Sequence, residues 1–240
     1  YDPVSNYAYG LAAARLGTPI DAMDGFEVAA QSPEFRVAAW TEIAKMRLGR
    51  GDRAGAEEYA RRSLEFNRMN LDAHQILAVV ARMGRRREAA EVELRAMASL
   101  DPLSHFVRFE RHLWAGDEPT RRAFVSGIRN EMPVETCLEL AAWYVGVGRL
   151  ADAGRLLALS PQNAEVLYWL AWVRSRQGDP DWADTLRRAE AASPRLVFPF
   201  RSETADVLTA RIFERGRTPS SARMSFSVNS FKPRTDTSLI

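Results

Sequence analysis

The first hundred residues superpose on themselves at a spacing of 34: Gly10, Ala44 and Ala78 share one column, and Ala22, Ala56 and Ala90 share another. A period of that length marks one supersecondary unit stacked on the next, so each unit must bury its apolar face against neighbours. Large residues flank the small columns, with Tyr9, Ile43 and Leu77 just before the first, and Phe26, Tyr59 and Leu94 after the second. Closely packed helices need both kinds side by side: small side chains admit a neighbour's ridge and large ones plug the adjacent hole. Trp40, Ile43, Ala44 and Leu48 recur at helical rather than strand spacing. Each unit is therefore expected to be a helical hairpin. Its break is expected near Gly17, Gly51 and Gly84, where a residue of positive φ commonly ends a helix.

The strict period lapses after Pro102, but helix-length segments continue between Pro119, Pro133, Pro161, Pro180 and Pro194. Proline suits the first turn of a helix and disfavours helical geometry in the residue before it, so each interval is read as one helix. The pattern returns in Leu140, Ala141, Tyr144, Gly148 and Ala153, and again in Leu167, Leu170, Ala171, Gly178 and Ala183. The expected architecture is all-α: a right-handed superhelix of about twelve helices. Residues 1–104 form three regular units, 105–133 a divergent pair with aromatic faces, 134–209 further pairs, and 210–240 an irregular basic tail. Within that tail, Met224, Phe226 and Val228 alternate as in one short strand, which would have no ladder partner. Gly10, Ala44, Ala78, Ala141 and Ala171 are expected at buried helix crossings.

Trp40, Ile43, Ala44, Gly51, Asp52, Ala56, Tyr59 and Leu64 in one unit resemble the tetratricopeptide repeat. So do Ala73, Leu77, Ala78, Ala90, Leu94 and the closing Asp101-Pro102 in the next. A narrower resemblance lies in LDPLSHFVRFERHL, RNEMPVETCLELAAWYVGVGRL, SPQNAEVLYWLAW and SPRLVFPFRSET. These segments are similar to the C-terminal arrays of large bacterial proteins, in which a β-rich domain associated with carbohydrate metabolism precedes the repeats. That resemblance implies a chain that is part of a longer polypeptide, and it lapses beyond Thr209.

Charge excludes some partners. The formal net charge of +2 is a balance of 33 basic and 31 acidic residues spread along the chain, which leaves no field to attract nucleic acid or an anionic membrane. Apolar runs such as Ile76 to Ala81 fall far short of the roughly 18 residues that span a bilayer. A single cysteine, Cys137, cannot form an internal disulfide, so nothing requires an oxidising compartment. A cytoplasmic location is the expectation, with any signal peptide lying upstream of Tyr1.

No residue set points to catalysis. His105 and His112 lie two helical turns apart on one face, but Glu110 is off that face and a metal needs more ligands than these supply. His74 and Cys137 stand alone, with no base or orienting group in the pattern, and both read as packed residues. The Arg85, Arg86, Arg87 run opens a helix, an unfavourable end for cations, yet three successive residues point to different faces and read as a solvated turn. Neither a phosphate loop nor a dinucleotide fingerprint is present. No catalytic residue, cofactor or metal is assigned, and the chain is not expected to be an enzyme in its own right.

Repeat arrays of this kind offer a concave groove lined by the first helix of each unit. By analogy with the family, the candidate groove residues are Tyr7, Leu11, Thr41, Lys45, Gln75 and Val79 in the front half. In the rear half they are Leu138, Ala142, Tyr168 and Trp172. The columns that hold a carboxylate clamp in the family's peptide-binding variant contain Tyr7, Leu11, Glu42, Asp72 and Ile76, so no such clamp is expected. Trp169 is expected to point toward neighbouring helices, with Tyr168 and Trp172 on the groove side. The expected partner is a protein or peptide, including an N-terminal domain of the same polypeptide. The opening helix shows Tyr7, Tyr9, Leu11 and Ala12 with few charges before Arg15, an apolar face through which an isolated array is expected to self-associate.

Overall fold

The computed structural model describes residues 2–130, 132–193 and 201–209, and among these lie thirteen helices and no strand. They are α1 (Pro3–Leu16), α2 (Pro19–Ala29), α3 (Pro33–Gly49), α4 (Arg53–Phe66), α5 (Leu71–Met83), α6 (Arg87–Leu100) and α7 (His105–Ala115). The series continues with α8 (Glu118–Gly127), α9 (Pro133–Gly146), α10 (Leu150–Leu159), α11 (Ala164–Gln177), α12 (Trp182–Ala191) and α13 (Ser202–Thr209). The tail from residue 210, with the strand expected at Met224 to Val228, lies outside the described residues.

Helix starts are written into the sequence. Asp2, Asp52, Asn70, Ser104, Asp117 and Asn163 each accept a backbone N–H three residues on, satisfying a donor that the first turn leaves without a partner. Pro3, Pro19, Pro33, Pro119 and Pro133 sit in first turns, where the missing N–H costs nothing. Helices then pack as consecutive pairs, from α1 on α2 to α11 on α12, and α2, α4, α6 and α10 each also pack on the helix that follows.

The small-residue columns lie at these crossings. Ala22, Ala44, Ala56, Ala78 and Ala141 are fully buried, and Ala90 and Ala171 nearly so. Gly10 is buried too, and a Cβ there would lie 2.7 Å from the Phe26 ring, while one on Gly25 would meet the Asn6 carbonyl oxygen at 2.8 Å. Tyr9 departs from its column: it is 52 % exposed, because α1 carries no outer pair among the described residues.

The breaks between paired helices fall seven residues after the small column, at Gly17, Gly51, Gly148 and Gly178, all with φ between 71° and 81°. In the third unit the sequence expectation is off by one. Gly84 has φ −83°, and Arg85 takes the left-handed position at φ 56°. A side chain there costs about 1 kcal/mol that glycine would avoid. Arg85→Gly is therefore expected to raise stability by about 1 kcal/mol in urea titration, and an unchanged midpoint would contradict it.

The array also closes on itself. Gly49, at the end of α3, meets the turn that follows α9: a Cβ on Gly148 would lie 2.9 Å from the Gly49 carbonyl oxygen and 3.0 Å from its Cα. The same addition at Gly178, with nearly the same φ, meets nothing within 4 Å. Gly178→Ala should thus cost only the left-handed strain of about 1–2 kcal/mol, and Gly148→Ala distinctly more, because backbone must move at both ends of the contact. Equal melting shifts for the two variants would mean that the closure contributes nothing.

The divergent pair fills its core differently. Where earlier units place alanine or glycine, α7 has His112, and Phe106, Phe109 and Phe124 supply the volume. Phe109 lies 5.3 Å from Phe124 and 5.6 Å from Tyr144, and Phe106 lies 5.1 Å from Trp143, centroid to centroid, in tilted and edge-on arrangements that rings prefer.

Candidate functional site

First helices line the inner side of the coil, and the candidate groove residues divide there by burial. Thr41, Val79 and Leu138 are at most 4 % exposed and are packed among the chain's own helices, so they are not available as groove wall. Thr41 donates to the Val37 carbonyl oxygen and receives the Asn70 side-chain amide at 2.8 Å, tying α3 to the start of α5. Val79 and Leu138 both belong to the main apolar core. Tyr7, Lys45, Gln75, Ala142, Tyr168 and Trp172 are partly exposed, and Leu11 is 43 % exposed.

Lys45 lies between two first helices. Its ammonium contacts Asp72 at 2.6 Å and Glu42 at 3.1 Å; burial alone would lower its pKa, and the two carboxylates outweigh that and raise it. Tyr7 stands beside this group against Phe26 and Phe35, and burial pushes its phenol upward. Lys45 and Glu42 also line an open cavity of about 480 Å³, where α1, α2 and α3 face α9 and α13 across the coil. Met46, Trp143 and Val147 form its apolar wall, and Arg50 and Glu203 add charge.

A buried ionic centre lies behind that wall, and sequence reasoning missed it. Arg82 of α5 donates to both oxygens of Glu110 in α7, at 2.6 and 3.1 Å, and to Asp152 of α10 at 2.8 Å. Tyr144 of α9 donates its hydroxyl to Glu110 at 2.7 Å, and Arg149 reaches Asp152 at 2.9 Å. Glu110 and Asp152 have 0 % and 1 % of their surface exposed. Burial pushes the Asp152 carboxyl up, but the Arg82 and Arg149 guanidiniums more than offset this and hold it below its ordinary value. Nothing local could have signalled the centre, since its partners lie 28 and 70 residues apart.

The lone candidates have structural partners. His74 is buried, with Glu93 on Nδ1 at 2.7 Å and the Arg68 carbonyl on Nε2 at 3.0 Å, and the Glu93 carboxylate raises its pKa. A raised histidine pKa contributes stability that is fully present below its ordinary value of 6.5 and lost as pH rises through the folded value. The stability gap between the wild type and His74→Leu should therefore narrow with rising pH across neutrality in denaturant titration. A gap that stays constant would refute this. Cys137 is fully buried, and burial lifts its thiol to about 11, so it is not poised as a thiolate. In the arginine run, Arg86 pairs with Glu57 at 2.6 Å, which draws that carboxyl down to about 2. Among the described residues no group of His, Cys, Asp and Glu is placed to hold a metal, and no helix is long and apolar enough to cross a membrane.

Trp169 is fully buried and faces the neighbouring helices. Its Nε1–H donates to the Thr204 hydroxyl of α13 at 3.0 Å, and that hydroxyl donates to Glu165 of α11 at 2.9 Å. Arg201, just ahead of α13, forms an ion pair with Glu135 of α9. Helix α13 therefore lies across the first helices of two successive pairs, and its Glu203 faces the cavity.

No family model matches the chain, and no curated protein matches it. Solved structures similar to it in fold include PilW, described as a widely conserved type IV pilus biogenesis factor, at 17 % identity over 86 % of this chain and 98 % of that one, with a TM-score of 0.48. A tetratricopeptide repeat protein from Parabacteroides merdae is similar at 11 % identity over 86 % and 97 %, with a TM-score of 0.47. TTC0263, a thermophilic protein of the same repeat type from Thermus thermophilus, is similar at 16 % identity over 86 % and 99 %, with a TM-score of 0.45.

Proposed function

We propose that the chain is a protein-interaction scaffold that offers the inner side of its coil to a segment of a protein partner. The cavity between α1, α3, α9 and α13 carries this reading. An apolar wall of Met46, Trp143 and Val147 beside charged Glu42, Lys45 and Arg50 has the mixed character of a protein interface. Glu42 and Lys45 form an ion pair on this wall.

A second reading places the partner in the same polypeptide, as the carbohydrate-associated domain that precedes similar arrays. Exposed apolar side chains on the first pair favour it: on α1, Tyr9 and Leu16 share one face and Val4 and Leu11 another, with Ile20 on α2, all 43 to 81 % exposed, and repeat arrays ordinarily cover such surface with a neighbour.

Photocrosslinking separates the two. A benzophenone side chain is placed at Arg50 on the cavity, at exposed Tyr9 on α1, or at Arg61, which is exposed on α4, and adducts formed in extract of the source organism are identified by mass spectrometry. A protein partner captured at Arg50 and not at Arg61 is the expected result. Capture at Tyr9 alone would favour the second reading, and equal capture at all three positions would overturn both.

A further inference from the structure

Six residues before the small-residue column, the first helices α5, α9 and α11 carry Asp72, Glu135 and Glu165, while α7 has Phe106 there, so Glu135 and Glu165 are neighbours and Asp72 stands apart. Asp72 is neutralised within the array by Lys45. The other two are met by α13: Glu135 by the Arg201 guanidinium, which also reaches the Glu135 carbonyl, and Glu165 by the Thr204 hydroxyl. Val207, one further turn along, is 2 % exposed and joins the main apolar core. Arg201, immediately before α13, and Thr204 and Val207 within it thus meet the groove at intervals of three.

We propose that the surface formed by Glu135, Glu165 and Trp169 is a recognition site for a helical protein segment with an arginine, a hydroxyl residue three positions on and an aliphatic residue three beyond that, and that α13 is its built-in occupant, displaced when a partner carrying this pattern binds. The inference rests on the scaffold reading and specifies the partner's chemistry.

Three observations favour an exchangeable occupant over a permanent part of the core. An eight-residue helix has little stability of its own, so α13 is held by its docking alone. Its hold includes an ion pair of partly exposed groups and a shared hydroxyl, with Val207 as a buried aliphatic anchor. The fit at Glu165 is also incomplete: this carboxylate is 4 % exposed and its hydrogen-bond donor among the described residues is the neutral Thr204 hydroxyl, and burial pushes its pKa up although Thr204 and, at longer range, Arg201 of the α13 segment draw it down. An ordinary core would satisfy a buried carboxylate with a cation. A partner whose side chain brings a second cation there binds these two carboxylates better than α13 does.

A tethered occupant competes as though present at roughly millimolar concentration, so free peptide should bind the wild-type chain poorly. The test uses the full chain and a fluorescent peptide of residues 201–209, read by anisotropy. Arg201→Glu, Thr204→Val and Val207→Asp together weaken the built-in helix and leave the receiving residues intact. This variant should bind the peptide at least about tenfold more tightly than the wild type, and adding Glu135→Gln and Glu165→Gln should abolish the gain. A variant with an intact far-UV spectrum that binds no better than the wild type would show that α13 is only a terminal cover. Should the variant unfold, hydrogen exchange on the wild-type chain decides. Backbone amides of α13 exchanging about a hundredfold faster than those of α11 show that it undocks while the array stays folded, and equal rates overturn the proposal. Peptide binding can fail here while crosslinking at Arg50 succeeds, so the two readings fall separately.

Discussion

Arg82→Met is expected to lower unfolding free energy by about 3–5 kcal/mol, the usual cost of leaving buried carboxylates without their cation. Glu110 suffers most, because among the described residues it keeps the neutral Tyr144 hydroxyl, whereas Asp152 still has the cations of Arg149 and Arg155. A domain of ordinary stability has about 5–15 kcal/mol in total, so the loss is a large share of it. Adding Glu110→Leu to Arg82→Met should recover part of the loss, since no uncompensated charge then remains beside Tyr144. Urea denaturation of the two variants measures both. A loss below about 1 kcal/mol in the single variant, or a further loss in the double, would mean that water reaches the centre.

Phe109→Ala is expected to cost about 3–5 kcal/mol, as for other large aromatic residues truncated in a packed interior. Phe109 has no exposed surface and contacts the rings of Phe124, Tyr144 and His112. The rings around it are held in mutual contact, so collapse around the cavity is limited. Phe66→Ala serves as the comparison, because Phe66 is 59 % exposed and should cost far less. Similar thermal shifts for the two would show that the aromatic cluster does not hold the divergent pair.

How much of this is legible in the sequence depends on the range of the interaction concerned. The helices, their paired arrangement and the buried columns at Ala44, Ala78, Ala141 and Ala171 follow from local periodicity, which a chain displays along its length. The left-handed residue is Arg85 rather than the expected Gly84, because glycine preference is a tendency and the register of the unit overrides it. Of the groove positions taken from the family, Thr41, Val79 and Leu138 are buried, Thr41 by its bonds to Val37 and Asn70 and the other two within the main apolar core. The links among Arg82, Glu110 and Asp152 have no sequence signal at all, since they join helices from separate pairs. The docking of α13 is likewise invisible, although Asp72, Glu135 and Glu165 can be read as six positions before the packing column.

The contact between Gly49 and Gly148 bears on how such a chain can evolve. In an open solenoid each pair meets only its neighbours, so a unit can be duplicated or lost with little consequence for the rest. Here the end of α3 must arrive at the turn after α9 with backbone against backbone. One extra pair between them would carry the two glycines past each other, and one fewer would keep them from meeting. The number of pairs from α3 to α9 is therefore a fixed dimension of the molecule, and growth by internal duplication is open to it only outside that span.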